Sequence, residues 1–236
     1  MIRSYFFVLL LLLSAVAAQA QWLLNFGGAQ TLAPGHLAFI SGTGAQFSFI
    51  KSPESVNYSP FLAHAGVRVG LFSGLDIGYR LVSVVLPFTS VGPTLGSAVD
   101  IKLRLTPASA KWQFGIIGGG GYAFVQILNQ KRSAWSPGGA LVLTRVISPS
   151  FSLTLNGRFS QTDIGALPNG PAGNYVRSIG GSAGASFILS PALSVLPEVG
   201  IFDLHGDMDK AQTNGTGLQI GCVVKVDWGR AMANGK

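Results

Sequence analysis

The chain has 236 residues and a formal net charge of +7, yet only 11% of its residues are charged, while 48% are hydrophobic and 32 are glycine. Soluble domains typically carry about 25% charged residues, so an ordinary water-facing surface is excluded. The single cysteine, Cys222, excludes an intramolecular disulfide.

Residues 1–20 read as a secretory signal peptide. Arg3 supplies the positive start, Phe6 to Leu13 the apolar stretch extended through Ser14 to Ala17, and Ala18-Gln19-Ala20 an A-x-A cleavage site. The apolar stretch is too short for a comfortable transmembrane helix. Cleavage places the new start at Gln21, which is not the cysteine that lipoprotein processing acylates. Residues 21–36 form an N-terminal segment, expected as a short strand or a periplasmic plug. It opens with Trp22, Leu23, Leu24 and Phe26 and is broken by Gly27-Gly28 and Pro34-Gly35.

Alternation then takes over. Apolar residues alternate with small, polar or charged ones, the period of a strand with one greasy and one wet face. Ten strands are predicted, near 37–50, 61–72, 75–86, 94–106, 111–126, 135–147, 151–161, 175–189, 192–203 and 215–228. In the second, Phe61, Ala63, Ala65, Val67 and Val69 oppose Leu62, His64, Gly66 and Arg68. In the seventh, Leu153, Leu155 and Phe159 oppose Ser152, Thr154, Asn156 and Arg158. Short connections rich in Pro, Gly and Ser alternate with longer ones at 51–60, 87–93, 127–134, 162–174 and 204–214. No apolar run of about 20 residues follows the leader, and a closed barrel is the other way to satisfy every backbone group in lipid.

The predicted fold is therefore all-β, a transmembrane antiparallel up-and-down β-barrel of about ten strands over 37–228, with eight or twelve as alternatives. A secreted soluble β-sandwich is the competing class. Short turns and both termini, including the tail 229–236, are expected in the periplasm. The apolar parity, with Cys222 on it, then faces lipid. Aromatics collect near strand ends, with Trp112, Phe151, Phe187 and Trp228 on the turn side. Tyr58, Phe61, Phe124, Trp135, Phe159 and Tyr175 lie on the loop side, as two interfacial girdles require.

The last strand, Gly217 to Trp228, resembles the C-terminal assembly signal of bacterial outer-membrane barrels, which ends in an aromatic, although eight residues follow it here. That resemblance implies a bacterial outer-membrane location, with outer-membrane lipid, lipopolysaccharide and the barrel assembly machinery as partners. Pro34-Gly35-His36-Leu37 and Gly66 to Gly78 resemble the front half of small outer-membrane transporter barrels, including the kind linked to phenol-degradation pathways. By analogy this implies uptake of a small molecule. No nucleic acid partner is expected, and no cofactor. Gly118 to Gly121 lies inside a strand, not in a phosphate-binding loop.

The polar parity carries the lumen-lining candidates Arg68, Arg80, Lys102, Arg104, Arg158 and Lys225 against Asp76, Asp100 and Glu198. If the lumen is wet, its field favours anions. If it is filled, these residues form an interior salt-bridge network. Ten strands lie near the filled end of the size range, whereas inward glycines (Gly66, Gly70, Gly78, Gly115, Gly184) argue for space.

Two weak catalytic candidates remain. Asp203-x-His205 resembles the acid–His pair of omptin-type outer-membrane proteases, but the second carboxylate pair of that family is missing. His64 would need a hydroxyl and an acid, such as Ser59, Ser160 or Asp163, to act as a lipid-modifying site. Asp203, Asp207 and Asp209 are weak ligand candidates for a hard cation. The function expected is a small passive transport or solute-binding barrel with a basic lumen. The alternatives are a structural or surface-interaction barrel and an outer-leaflet enzyme, with an enzyme the less favoured.

Overall fold

The computed structural model describes residues 27–51, 56–58, 61–85, 94–127, 130–165, 174–208 and 211–229. The leader, residues 21–26 and the end of the tail lie outside them. The described residues form eleven strands: β1 (Leu37–Ile50), β2 (Val56–Tyr58), β3 (Phe61–Phe72), β4 (Leu75–Val85), β5 (Thr94–Arg104), β6 (Trp112–Ile127), β7 (Gln130–Ser148), β8 (Phe151–Ile164), β9 (Asn174–Ile188), β10 (Leu193–Met208) and β11 (Ala211–Asp227).

Each long strand pairs antiparallel with the next, and β11 returns to β1 with Ala38 opposite Asp227 and Ile50 opposite Gly215. Closure removes the sheet edges that would otherwise leave backbone groups unpaired. The three-residue β2 only extends the end of β1, so ten long strands form the wall. The ten predicted strands correspond to these ten.

The period-two pattern sorts the side chains. On β8, Ser152, Thr154, Asn156, Arg158, Ser160 and Thr162 are buried inside, while Leu153, Leu155 and Phe159 are exposed on the outer wall. Leu81, Leu95, Ile101, Ile179, Ile201 and Ile220 continue this exposed apolar belt. A soluble β-sandwich would bury such a face between two sheets. Here the buried face is the polar one.

One end of the barrel carries tight turns and the other carries loops. At the turn end, Gly74 (φ 89°) supplies the left-handed residue that lets β3 reverse into β4. Gln113 Nε2 donates to Ala108 O at 2.8 Å and bridges the 105–111 turn. Aromatics belt both ends. On the turn side Phe39 and Trp228 meet edge-on at 5.9 Å and Phe151 and Phe187 meet tilted at 5.1 Å, and on the loop side Tyr122 and Phe124 meet edge-on at 5.2 Å. The side chain of Tyr58 lies outside the described residues.

Two predicted loops are far shorter than expected. β6 and β7 run on until only 128–129 separate them, and β10 and β11 until only 209–210 do. The sequence there is mostly polar and has no apolar alternation, as in Gln130-Lys131-Arg132-Ser133. Hairpin pairing continues there after apolar alternation, the signal used to place strand ends, has stopped.

Candidate functional site

The barrel interior is the candidate site, and residues 27–36 lie within its turn end. The segment enters β1 through a sharp reversal at Gly35 (φ 75°), where Gly35 N donates to Gly70 O at 2.8 Å and Gly70 N to His36 O at 2.9 Å. Ala29 is fully buried and packs with Ile117, Ala140 and Val142 of the wall. Three wall side chains grip its backbone. Thr144 Oγ1 accepts from Ala29 N at 2.8 Å, Asp76 Oδ2 accepts from Leu32 N at 3.1 Å, and Lys102 Nζ donates to Gly28 O at 2.9 Å.

The wall is cut to fit this segment. A Cβ at Gly70 would stand 2.1 Å from Ala33 O, and one at Gly115 would stand 3.3 Å from Ala29 Cβ. The inward glycines therefore do not leave an empty channel here. They admit a second layer of chain.

All nine lumen-lining candidates lie on the inward parity of their strands, and ion pairs between nearby strands join six of them. Arg68 reaches both Asp76 and Asp100, and Arg80 Nη2 lies 3.5 Å from Asp100 Oδ2. These groups are almost wholly buried. A buried charge needs such partners, because desolvation costs several kcal/mol per ion. Higher up, Arg158 on β8 pairs with Glu198 on β10 over the intervening strand, and its Nη2 donates to Ser182 Oγ at 2.5 Å. The Arg158 guanidinium also stacks 5.3 Å from the Phe202 ring. Much of the positive field expected of the lumen is thus spent on Asp76, Asp100, Glu198 and the inserted segment.

Toward the loop end the interior mixes apolar side chains with uncharged polar ones such as Gln46, Ser48 and Ser178. Leu62, Val82, Val84, Ala98, Ala123, Val176 and Leu204 are buried beside Ser136 and Thr162, which share a hydrogen bond of 2.6 Å. Arg104 and Lys225 instead line a cavity of about 410 Å³ at the turn end, with Gln30, Thr31, His36, Gln113 and Asp227. His36 Nδ1 lies 3.4 Å from Asp227 Oδ1.

The weak catalytic candidates are not brought together. His64 is buried in the interior, and Ser160 faces inward from the opposite wall. Asp163 points outward, where it accepts from Gln161 Nε2 at 3.0 Å, so it cannot join them. Ser59 lies outside the described residues. Asp203 and His205 do meet, with His205 Nε2 2.6 Å from Asp203 Oδ2 and Nδ1 2.7 Å from Asn214 Oδ1. They sit on the outer wall, on the opposite side of the sheet from the lumen, and both are exposed. Asn214, aligned opposite His205 on β11, escapes sequence reading because the hairpin register that sets it is invisible there. Among the described residues no group of three or more His, Cys, Asp or Glu side chains is placed to hold a metal ion. Asp209 lies outside those residues.

No protein-family model matches the chain, and no curated protein matches it. Solved structures do. The chain superposes on the outer membrane protease OmpT from Escherichia coli with a TM-score of 0.50 and 10% identity, covering 84% of this chain and 99% of that one. It superposes on an outer membrane channel from Pseudomonas putida with a TM-score of 0.52 and 11% identity, covering 85% and 98%. The chain has the fold of bacterial outer-membrane β-barrels. Neighbours with this fold include a protease and a channel, so the shared barrel does not itself distinguish the two chemistries.

Proposed function

We propose that the protein is a small-solute barrel of the bacterial outer membrane, closed in the observed state by its own N-terminal segment. On this reading the leader is removed, the turn end and both termini face the periplasm, and the apolar belt faces lipid. Lipopolysaccharide surrounds the loop end, and the barrel assembly machinery inserts the chain.

The observation that carries the proposal is the fit between residues 27–36 and the wall. A barrel that serves only as a structural support can fill itself with side chains from its own strands. This one has glycine at Gly70 and Gly115 and admits a separate stretch of chain. It holds that stretch through backbone hydrogen bonds to Asp76, Lys102 and Thr144. The bond to Thr144 joins neutral groups and contributes about 0.5–1.5 kcal/mol net, while those to Asp76 and Lys102 contribute about 1.5–3 kcal/mol each, and water can replace all three. A segment so held can leave without breaking the barrel.

The test is planar-bilayer recording of the intact chain against a variant lacking residues 27–35. The variant should show steady single-channel steps where the intact chain shows none or brief ones. Silence from a variant that still shows heat-modifiable gel mobility would contradict the proposal. The second reading, a filled structural barrel, draws on the buried Arg68–Asp76–Asp100–Arg80 network and predicts that silence.

A further inference from the structure

The turn-end cavity holds more unmet hydrogen-bonding capacity than its neighbours can satisfy. Three residues that line it each bring a buried polar atom with no hydrogen-bond partner, Thr31 Oγ1, Arg104 Nε and Gln113 Oε1, and a fourth, His36 Nδ1, has only the Asp227 carboxylate at 3.4 Å. Leaving a buried donor or acceptor unmet costs about 1–3 kcal/mol, and native interiors tolerate few. Of the three unmet atoms, Thr31 Oγ1 belongs to the inserted segment and Arg104 Nε and Gln113 Oε1 to the wall. The cavity volume of about 410 Å³ is that of a small-molecule site.

We infer that this cavity binds a small hydroxy-carboxylate, a polyol acid carrying one negative charge. The Arg104 guanidinium requires an acceptor and is the natural partner of a carboxylate. Lys225 lines the same cavity and adds positive charge. Gln113 has its amide nitrogen committed to Ala108 O and Ala110 O, so its oxygen requires a donor from the ligand, which a hydroxyl supplies. Thr31 and His36 accept or donate, matching further hydroxyls. Asp227 stands 3.4 Å from His36 and opposes a second ligand charge, which favours a monoanion over a dianion. The inference deepens the small-solute reading by naming the solute class and rests on it for its biological meaning.

Isothermal calorimetry on the full chain refolded in detergent tests it with three probes: gluconate, its neutral polyol counterpart sorbitol, and the hydroxyl-free dianion succinate. Gluconate should bind at least tenfold more tightly than either of the others. Arg104→Gln should weaken gluconate at least tenfold and leave sorbitol unchanged. Thr31→Val, a change on the inserted segment that leaves the wall intact, should weaken gluconate at least threefold and serves where Arg104→Gln does not fold. No saturable gluconate binding, or gluconate binding that folded variants leave unchanged, overturns the site. Binding without conductance would fail the channel reading and keep the site. Conductance without binding would do the reverse.

Discussion

Arg68 on β3 and Asp100 on β5 pair across β4, directly over Gly78. A Cβ at position 78 would stand 2.7 Å from Arg68 Nη2 and 2.9 Å from Asp100 Oδ2. The glycine is what lets the pair close over an intervening strand. Gly78→Ala should therefore push the guanidinium off Asp100 and destabilise the barrel by about 1–3 kcal/mol, the usual cost of overpacking. Denaturant unfolding in micelles reads this, and an unchanged midpoint would count against the packing described.

Removing the cation should cost more than crowding it. Arg68→Leu takes the cation from buried Asp76 and leaves Asp100 only Arg80 at 3.5 Å, and breaking such a pair by removing one partner typically costs about 3–5 kcal/mol. The triple change Arg68→Leu, Asp76→Asn and Asp100→Asn should recover part of the loss, since it leaves no unpaired anion at these positions. A triple variant less stable than Arg68→Leu would show that the network contributes by something other than charge pairing.

Lys102 should be a handle on the inserted segment. Lys102→Met keeps the length of the side chain and deletes the donation to Gly28 O. A hydrogen bond from a charged donor contributes about 1.5–3 kcal/mol, so the segment should open about tenfold or more often. Exchange of the Ala29 amide, held by Thr144 Oγ1, reports the opening. Exchange at the intact rate would mean that Lys102 does not hold the segment.

His205 should titrate above its ordinary value. Its ring lies between Asn214 Oδ1 and Asp203 Oδ2, and both oxygens accept, so the doubly protonated ring satisfies both. The hydrogen bond to Asn214 and then that to Asp203 raise its pKa. These residues lie beyond Ile201, where the outward face of β10 changes from apolar to polar. A raised folded pKa means that the stabilisation is fully present below about 6.5. It is lost as pH rises through the folded value. Both side chains are exposed, so the effect on stability is small and the titration itself is the measurement. A ring-proton midpoint at or below 6.5, or one that Asn214→Ala does not lower, would contradict the geometry.

The barrel was legible because its signal is local and periodic. Each strand carries its own inside and outside, as Ser152 to Phe159 shows. Strand ends were less legible where apolar alternation stops, which is why the β10–β11 hairpin runs past Asp203. Partners across strands were not legible at all. Nothing in the one-dimensional pattern says that Arg158 crosses β9 to Glu198, because that contact depends on register and on Gly184 and Gly180 lying between them. The inward glycines carried the most misleading signal. Read alone they suggest open space, but Gly70 and Gly115 are small because residues 27–36 pass against them.

A reversible crosslink between the inserted segment and the wall tests whether that segment closes the lumen. The built Cβ at Gly115 lies 3.3 Å from Ala29 Cβ, just short of the usual Cβ separation of a disulfide, about 3.5–4.5 Å. With Cys222 changed to serine, Ala29→Cys and Gly115→Cys should form one disulfide that locks the segment in the lumen. The oxidised protein should be silent in a planar bilayer, and reductant should bring single-channel openings. Openings of equal size and frequency in the oxidised protein, with the disulfide verified by mass, would contradict closure by the N-terminal segment.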